Sequence, residues 1–498
     1  MDRVMKNQTI GSNVRVSKLM WITSILATVL ISSLPQAAMA LPLFARQTGQ
    51  NCMACHAGGQ FPELTPYGRM FKLTGFTMGQ RTVPVSVMGT ISNSRVADTS
   101  KSDDPSADFQ KNGQTIFATG SLFLGGKVTD NIGAFTQITY DPYASQGDDG
   151  QFHGHSQADN IDLRYADRFI DEKRDLIVGL SVNNNPSVSD PWNTAAAWMQ
   201  YVPVPSPTSS QFIDGATPYP SYSTGGNIAG ITAYSYWNRS IYAELGGYGT
   251  SRGLFSFMSA GLDDASTTKL RGINPYLRLA WNHEWGAHSL MIGTAAMTAQ
   301  IYDDNLNTSD PALTHHTKDW KIDAQYQYLL DPHSVTGQLV FAHNRTRYSD
   351  AMANQPVAFT DAVGNPLANT KAEDTTNLVR AKLTYVYQAR YGASLALFNQ
   401  TGSTNTANQT AGYDPATLTI TSDPTASAPS TRVSGNLSGN PATRGLTLET
   451  FWMPTQYTRI GAQYTAYNRY NGASDNYDGF GRNAQDNNTL FLYIWAAY

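Results

Sequence analysis

The sequence predicts an all-β transmembrane barrel of about 16 antiparallel strands, with a small α-helical segment ahead of it. Composition is the first reason. The 498 residues include 27 Tyr and 41 Gly, only 14% are charged, and no second long apolar run follows the first 40 positions. Averages this polar exclude a helical membrane protein, whereas a barrel wall alternates apolar and polar positions and averages out. The second reason is that this alternation is visible. In 319–328, Trp320, Ile322, Ala324, Tyr326 and Tyr328 share one face, and Lys321, Asp323, Gln325 and Gln327 the other. Segment 379–388 repeats it, with Val379, Ala381, Leu383, Tyr385 and Tyr387 opposite Arg380, Lys382, Thr384 and Gln388. Successive side chains of a strand point to opposite faces, so each segment has one apolar and one polar surface. Third, the connections alternate between short and long, as periplasmic turns and outside loops do.

The elements follow in order. Residues 1–20 carry Arg3, Lys6, Arg15 and Lys18, an apolar stretch runs from Trp21 to about Leu34, and Ala38-Met39-Ala40 obeys the small-residue cleavage rule. Residues 1–40 therefore read as a signal peptide. The apolar core is shorter than the roughly 20 residues of a spanning helix, which disfavours an uncleaved anchor.

Residues 41–82 form the next unit. Cys52-Met-Ala-Cys55-His56 holds the only two cysteines of the chain. Two thiols three residues apart, followed at once by an imidazole, are what covalent attachment of a c-type haem requires: the thiols add to the vinyl groups and His56 ligates the iron on the proximal side. A redox dithiol of the thioredoxin kind needs a βαβ setting that the sequence lacks, and a structural zinc needs four ligands where this segment offers three. One covalently bound c-type haem is the expected cofactor. Downstream, Thr65-Pro66 reads as an N-cap with Pro at the first helical position. Tyr67, Met70, Phe71 and Leu73 recur at helical spacing and are expected to cover the porphyrin, with Arg69 and Lys72 pointing elsewhere and Gly75 ending the helix. So short a segment cannot build an ordinary core of its own, which favours a place inside the lumen of the barrel. For the distal iron ligand Met78 is preferred, with Met70 as the alternative. A packing role is the other reading of Met70. His283 and His343 qualify if they face the lumen, a five-coordinate iron with an open site stays in play, and Met53, within the attachment loop, is badly placed.

Residues 83–498 then carry sixteen expected strands, near 83–96, 114–128, 132–140, 159–169, 175–184, 226–237, 240–249, 274–285, 289–302, 319–330, 334–347, 375–388, 391–400, 444–453, 458–470 and 488–498. Turn-formers fill the short connections, as in Thr129-Asp130-Asn131, Asn238-Arg239 and Asp331-Pro332-His333. The chain closes on Leu490-Phe-Leu-Tyr-Ile-Trp-Ala-Ala-Tyr498, an alternating strand with a terminal aromatic. A large soluble sandwich or propeller is the competing fold, and no blade-length repeat is present.

With these residues in view, Leu41-Pro-Leu-Phe-Ala-Arg-Gln-Thr-Gly before the Cys52–His56 motif, and Pro62-Glu-Leu-Thr-Pro-Tyr-Gly-Arg-Met-Phe-Lys-Leu-Thr-Gly75-Phe after it, resemble the fused monohaem cytochrome–porins of the bacterial outer membrane. The match is specific over 41–80 and architectural over the barrel. Members of that family include iron oxidases, so the resemblance implies an outer-membrane electron conduit that oxidises extracellular Fe(II) and passes electrons through one haem to periplasmic c-type cytochromes. Cys52, Cys55 and His56 carry over as haem-binding residues, whereas the motif does not map the distal ligand. A conduit for a different extracellular donor, or a diffusion porin with a haem-bearing plug, are the alternatives. A haem peroxidase is disfavoured, because no His–Arg pair stands near the motif.

Removing residues 1–40, with four basic side chains and Asp2, takes the formal net charge from −4 to −7. Asp103-Asp104, Asp148-Asp149, His153-Gly-His155 and His315-His316 fall in expected outside loops, where carboxylates and imidazoles suit Fe(II), although solvated loop tips are the plainer reading. The acidic balance and the absence of basic tracts exclude nucleic acid as a partner, and no P-loop, Rossmann fingerprint or Ser-His-Asp arrangement is present.

Overall fold

The computed structural model describes residues 42–59, 63–98, 112–146, 152–194, 227–261, 268–350, 372–404, 413–414, 419–420, 438–477 and 481–498. The expected signal peptide lies outside them. Sixteen strands close into one antiparallel barrel: β1 (Val85–Val96), β2 (Thr115–Lys127), β3 (Ile132–Gln146), β4 (Phe152–Ile170), β5 (Asp175–Asn183), β6 (Ile228–Trp237), β7 (Ile241–Thr250), β8 (Asn274–Trp285), β9 (His288–Tyr302), β10 (Thr314–Leu330), β11 (His333–Arg347), β12 (Glu373–Tyr387), β13 (Tyr391–Gly402), β14 (Thr443–Thr455), β15 (Thr458–Arg469) and β16 (Thr489–Ala497). Each strand pairs with its sequence neighbours, and β16 closes on β1 in a register that runs from Met88↔Ala497 to Val96↔Thr489. A separate two-residue ribbon pairs Tyr413–Asp414 with Thr419–Ile420.

The predicted strands recur with ends shifted by a few residues. The larger differences are outward extensions. β3 runs on to Gln146, β4 begins at Phe152 and β10 at Thr314, where the sequence suggested 140, 159 and 319. Backbone pairing continues past the point where the apolar face ends, because a hairpin arm needs only its partner strand, not lipid.

The two faces separate as the period-2 pattern requires. Ile91, Leu180, Leu245, Ile292, Ile322, Leu383 and Ile494 are exposed on the outside, while Arg164, Arg278, Lys321, Asp323, Gln325, Gln327 and Arg459 are buried inside. A closed wall with an apolar exterior is the surface of an outer-membrane barrel, since closure leaves no unpaired backbone in lipid. The short turns, such as 171–174 and 455–458, mark the periplasmic end.

The described residues also hold four short α-helices, α1 (Pro42–Thr48), α2 (Cys52–Cys55), α3 (Pro66–Leu73) and α4 (Pro186–Ser189), and three 3₁₀ turns. α1 to α3 fill the periplasmic half of the lumen. With Glu63 and Phe76 beside them, they touch inward residues all round the wall: Phe135 of β3, Tyr234 of β6, Ser289 of β9, Gln325 and Gln327 of β10, Lys382 of β12 and the Gln456 turn. The barrel is plugged.

Candidate cofactor site inside the barrel

The Cys52–Cys55 segment is a single helical turn. Asn51 caps it by accepting the Ala54 amide, and His56 closes it by donating its amide to the Cys52 carbonyl at 2.8 Å. α3 starts and stops as its sequence demands. Thr65 accepts the Gly68 amide at 3.1 Å and Pro66 follows. At the other end Gly75 takes φ +74°, with Phe76 N–H donating to Phe71 O and Gly75 N–H to Lys72 O, a Schellman closure. Gly68 lets α3 lie directly on the attachment turn: a Cβ there would stand 2.1 Å from the Cys55 carbonyl oxygen. Thr65 N–H also donates to Cys55 O at 2.9 Å, and His56 pairs with Leu64 in a short bridge.

Between these pieces lies a cavity lined by Cys55, His56, Leu64, Gly68, Phe71, Lys72 and Phe76 of the plug, Phe44 of α1, Phe135 and Asn160 of the wall, and Val188 and Asn193 of the segment after β5. Four phenylalanines form one flank. Phe44 meets Phe71 edge-on at 5.0 Å and stacks on Phe76 at 5.6 Å, and Phe76 lies 6.5 Å from Phe135.

The residues fit the c-type haem that the motif implies: an apolar, aromatic slot carries one attachment thiol and the following imidazole on its wall. Cys55 and His56 line the slot. Cys52 is fully buried beside it, with its Sγ donating to the Gln456 carbonyl at 3.1 Å, so the second thiol meets the periplasmic turn. The thiols are not disulfide-linked. Burial pushes Cys52 up to about 12 and Cys55 to about 11, so both stay protonated at neutral pH. Burial pulls His56 down to about 3, which keeps the imidazole neutral, the form that ligates a metal.

The distal candidates fall elsewhere. Met78 is half-buried and does not line the cavity, and its backbone carbonyl accepts Gln47 Nε2 at 2.9 Å. Met70 packs with Leu73, Trp192, Tyr234 and Tyr242 against the wall, the packing role weighed for it from sequence. His283 faces outward between Trp281 and Trp285, and His343 also faces outward, bonded to Asn377 and beside Trp320. Neither histidine faces the lumen. Met53 is exposed. The face of α3 turned to the cavity also differs from expectation. Gly68, Phe71 and Lys72 line it, while Met70 and Leu73 press on the barrel. A helix inside a barrel has two surfaces to satisfy, and the sequence period reports only that both are apolar.

The plug is held by buried polar contacts. Arg69 donates to Gln327 at 2.9 Å, Ser289 at 2.8 Å and Leu64 O at 2.9 Å, and stands 3.7 Å from Glu284. Burial lowers its pKa to about 10, so it stays charged. Lys382 pairs with buried Glu63 at 3.0 Å. Lys72 donates to the carbonyls of Val188 and Asp190, which ties the plug to an inward-folded segment, 185–194. That segment is itself pinned by Asp190. Burial would raise this carboxyl, but the charges of Arg278 and Lys321 outweigh it and hold Asp190 below the usual carboxylate range. Between the expected strands 175–184 and 226–237 the sequence offers only one long connection, of which 195–225 lie outside the described residues. Asn185-Pro186 does mark a helix start (Asn185 caps α4), yet nothing local says that the turn folds inward.

Arg69→Ala is expected to loosen the plug. Lost hydrogen bonds to a charged group cost about 3 kcal/mol together at the low end, enough to raise the undocked fraction on the order of a hundredfold. In planar bilayers the wild-type barrel should pass little current and the variant clearly more. Equal conductance would show that Arg69 does not hold the plug.

Among the described residues no group of three or more His, Cys, Asp or Glu side chains is placed to hold a metal ion. His315 pairs with Asp303 alone at 3.0 Å, His155 Nε2 lies 2.7 Å from Ala260 O, and Asp103-Asp104 and Asp148-Asp149 lie outside the described residues.

No family model and no curated protein matches the chain. Among solved structures it is similar to OmpF of Salmonella typhi, at 8% identity over 83% of this chain and 97% of that one, with a TM-score of 0.43. It is also similar to OprB of Pseudomonas putida, at 11% identity over 83% and 93%, with a TM-score of 0.42. The outer membrane channel DcaP of Acinetobacter baumannii is 12% identical over 83% and 96%, with a TM-score of 0.41.

Proposed function

We propose that this chain is an outer-membrane electron conduit that oxidises extracellular Fe(II) and delivers electrons, through one c-type haem, to a periplasmic c-type cytochrome. The observation that carries the reading is the position of Cys55 and His56 on an apolar cavity inside the barrel rather than on a periplasmic appendage. A haem bound there would supply a one-electron site. Cys52 and Cys55 would hold it covalently, His56 would ligate the iron, and Phe44, Phe71, Phe76 and Phe135 would exclude water from one flank, which strengthens the electrostatic influence of the nearby buried Lys72.

The two mouths have unequal access to this site. On the periplasmic side, Cys52 touches the 455–458 hairpin directly. On the other side, Asn160 of the cavity wall is eight residues from Phe152, the outer end of β4. That is about 26 Å along the strand and roughly 20 Å of height at barrel tilt. A donor small enough to descend the lumen, such as an aqueous metal ion, suits this asymmetry better than a bulky one. The plug and its latches weigh against a diffusion porin.

The test is anaerobic addition of Fe(II) to intact cells while the haem spectrum is recorded. Oxidised wild-type protein should be reduced from outside and re-oxidised by a periplasmic cytochrome. His56→Ala should still assemble as a barrel and lose the response. If wild-type haem stays oxidised under saturating Fe(II) but answers another extracellular donor, the conduit stands and iron oxidation does not.

A further inference from the structure

The extracellular rim of β10 to β12 carries cations on its lipid side in an arrangement that a strand pair does not favour by itself. Lys318 stands directly opposite Arg345, and Arg347 lies between His316 on β10 and Glu373 on β12. Like charges facing each other across antiparallel strands are destabilising. Arg345 has one acidic partner, Glu373 at 2.6 Å, and Arg271 reaches the same face through Gln300 at 3.1 Å. Lys318, Arg345, Arg347 and His316 line an open cleft whose acidic members are Glu373 and Asp350.

Depth in the membrane gives this cluster its meaning. One outward step below the Lys318–Arg345 pair, Trp320 packs on Phe341 at 5.3 Å and on His343 at 5.5 Å. Below them Ile322 and Leu339 are exposed in the apolar band. Aromatic girdles mark the membrane–water interface. The cations therefore sit two residues, about 7 Å of strand and roughly 5 Å of height, above it, at the level of lipid headgroups. Arginine and lysine at that level match phosphate, arginine by two parallel hydrogen bonds.

We propose that the cleft formed by Lys318, Arg345 and Arg347 binds the phosphate groups of an outer-leaflet lipid. The bound phosphate neutralises the facing cations and fixes the barrel's height and rotation against the lipid. This site is independent of the haem and of the electron donor.

The test uses the full-length protein in detergent with three probes: bisphosphorylated lipid A, the same lipid stripped of phosphate, and inorganic phosphate. Only the first should bind at stoichiometric levels in native mass spectrometry and raise the temperature of the heat-modifiable transition. Lys318→Gln/Arg345→Gln should weaken that binding about tenfold or more. Lys318→Arg/Arg345→Lys should retain it, as should Lys173→Gln/Arg174→Gln, which removes equal charge at a periplasmic turn. Should the double Gln variant fail to fold, Arg347→Gln reads the same loss in part. Equal binding of the dephosphorylated lipid, equal binding of inorganic phosphate, or undiminished binding by the Gln variants would each overturn the proposal.

Discussion

The Cys52→Ala/Cys55→Ala variant is expected to assemble as a barrel and to retain no covalent haem. In the proposed function each thiol would supply one thioether, and the chain holds no third cysteine to replace either. The two are not equivalent. Cys55 is on the wall of the cavity, while Cys52 is buried beside it, with its amide and sulfur bonded to Gln456. Each single substitution should therefore leave one linkage and reduce retention, and Cys52→Ala should also loosen the contact between plug and hairpin. Both thiols lie outside the strand ladders, so the wall should fold without them. Haem-stained denaturing gels give the answer: full staining in the double variant would end the two-thioether reading.

Deleting residues 490–498 should have the larger effect on the fold itself. β16 is hydrogen-bonded on one side to β1 and on the other to β15, and Tyr498 continues the ladder by exchanging hydrogen bonds with Val87. Without it, fifteen strands have two open edges facing hydrocarbon. Unsatisfied backbone groups there cost several kcal/mol each, on the order of tens of kcal/mol for an exposed strand. Trp495, Tyr493 and Phe491 would also leave the cluster in which Leu43 of α1 is packed, so the plug would lose part of its seat. The truncated chain should be missing from the outer-membrane fraction. A truncated protein that still inserts and migrates as a heat-modifiable species would contradict this account of closure.

Of the fold, the wall was the legible part. Side-chain alternation in a strand is local, so Trp320, Ile322 and Tyr326 against Lys321, Asp323 and Gln325 announced both faces before any partner was known. Short turns fixed which ends were joined. The limits of β3 and β4 were not legible, because polar hairpin arms have no face to separate. Within the site, the cysteine spacing, the Thr65-Pro66 start and the Gly75 stop are local chemistry and were all readable. Phe44 and Phe135 were missed: they stand 91 residues apart and meet only because α1 lies against β3. Gly68 stood in plain view, yet only the approach of the Cys55 carbonyl gives it a reason.

What the sequence by itself determined is therefore the alternating wall, the strand number, and the spacing of Cys52, Cys55 and His56. Each is written in neighbours along the chain, where period, spacing and turn chemistry act. What only the tertiary structure decided is which surfaces meet. It turned His283 and His343 outward and set Met70 against the wall, away from the cavity. It also brought Lys72 to the inward segment at Val188 and Asp190. Those outcomes depend on closure, since a barrel fixes the inside of sixteen strands at once and leaves a short plug only the positions whose charges and hydrogen bonds that interior can satisfy.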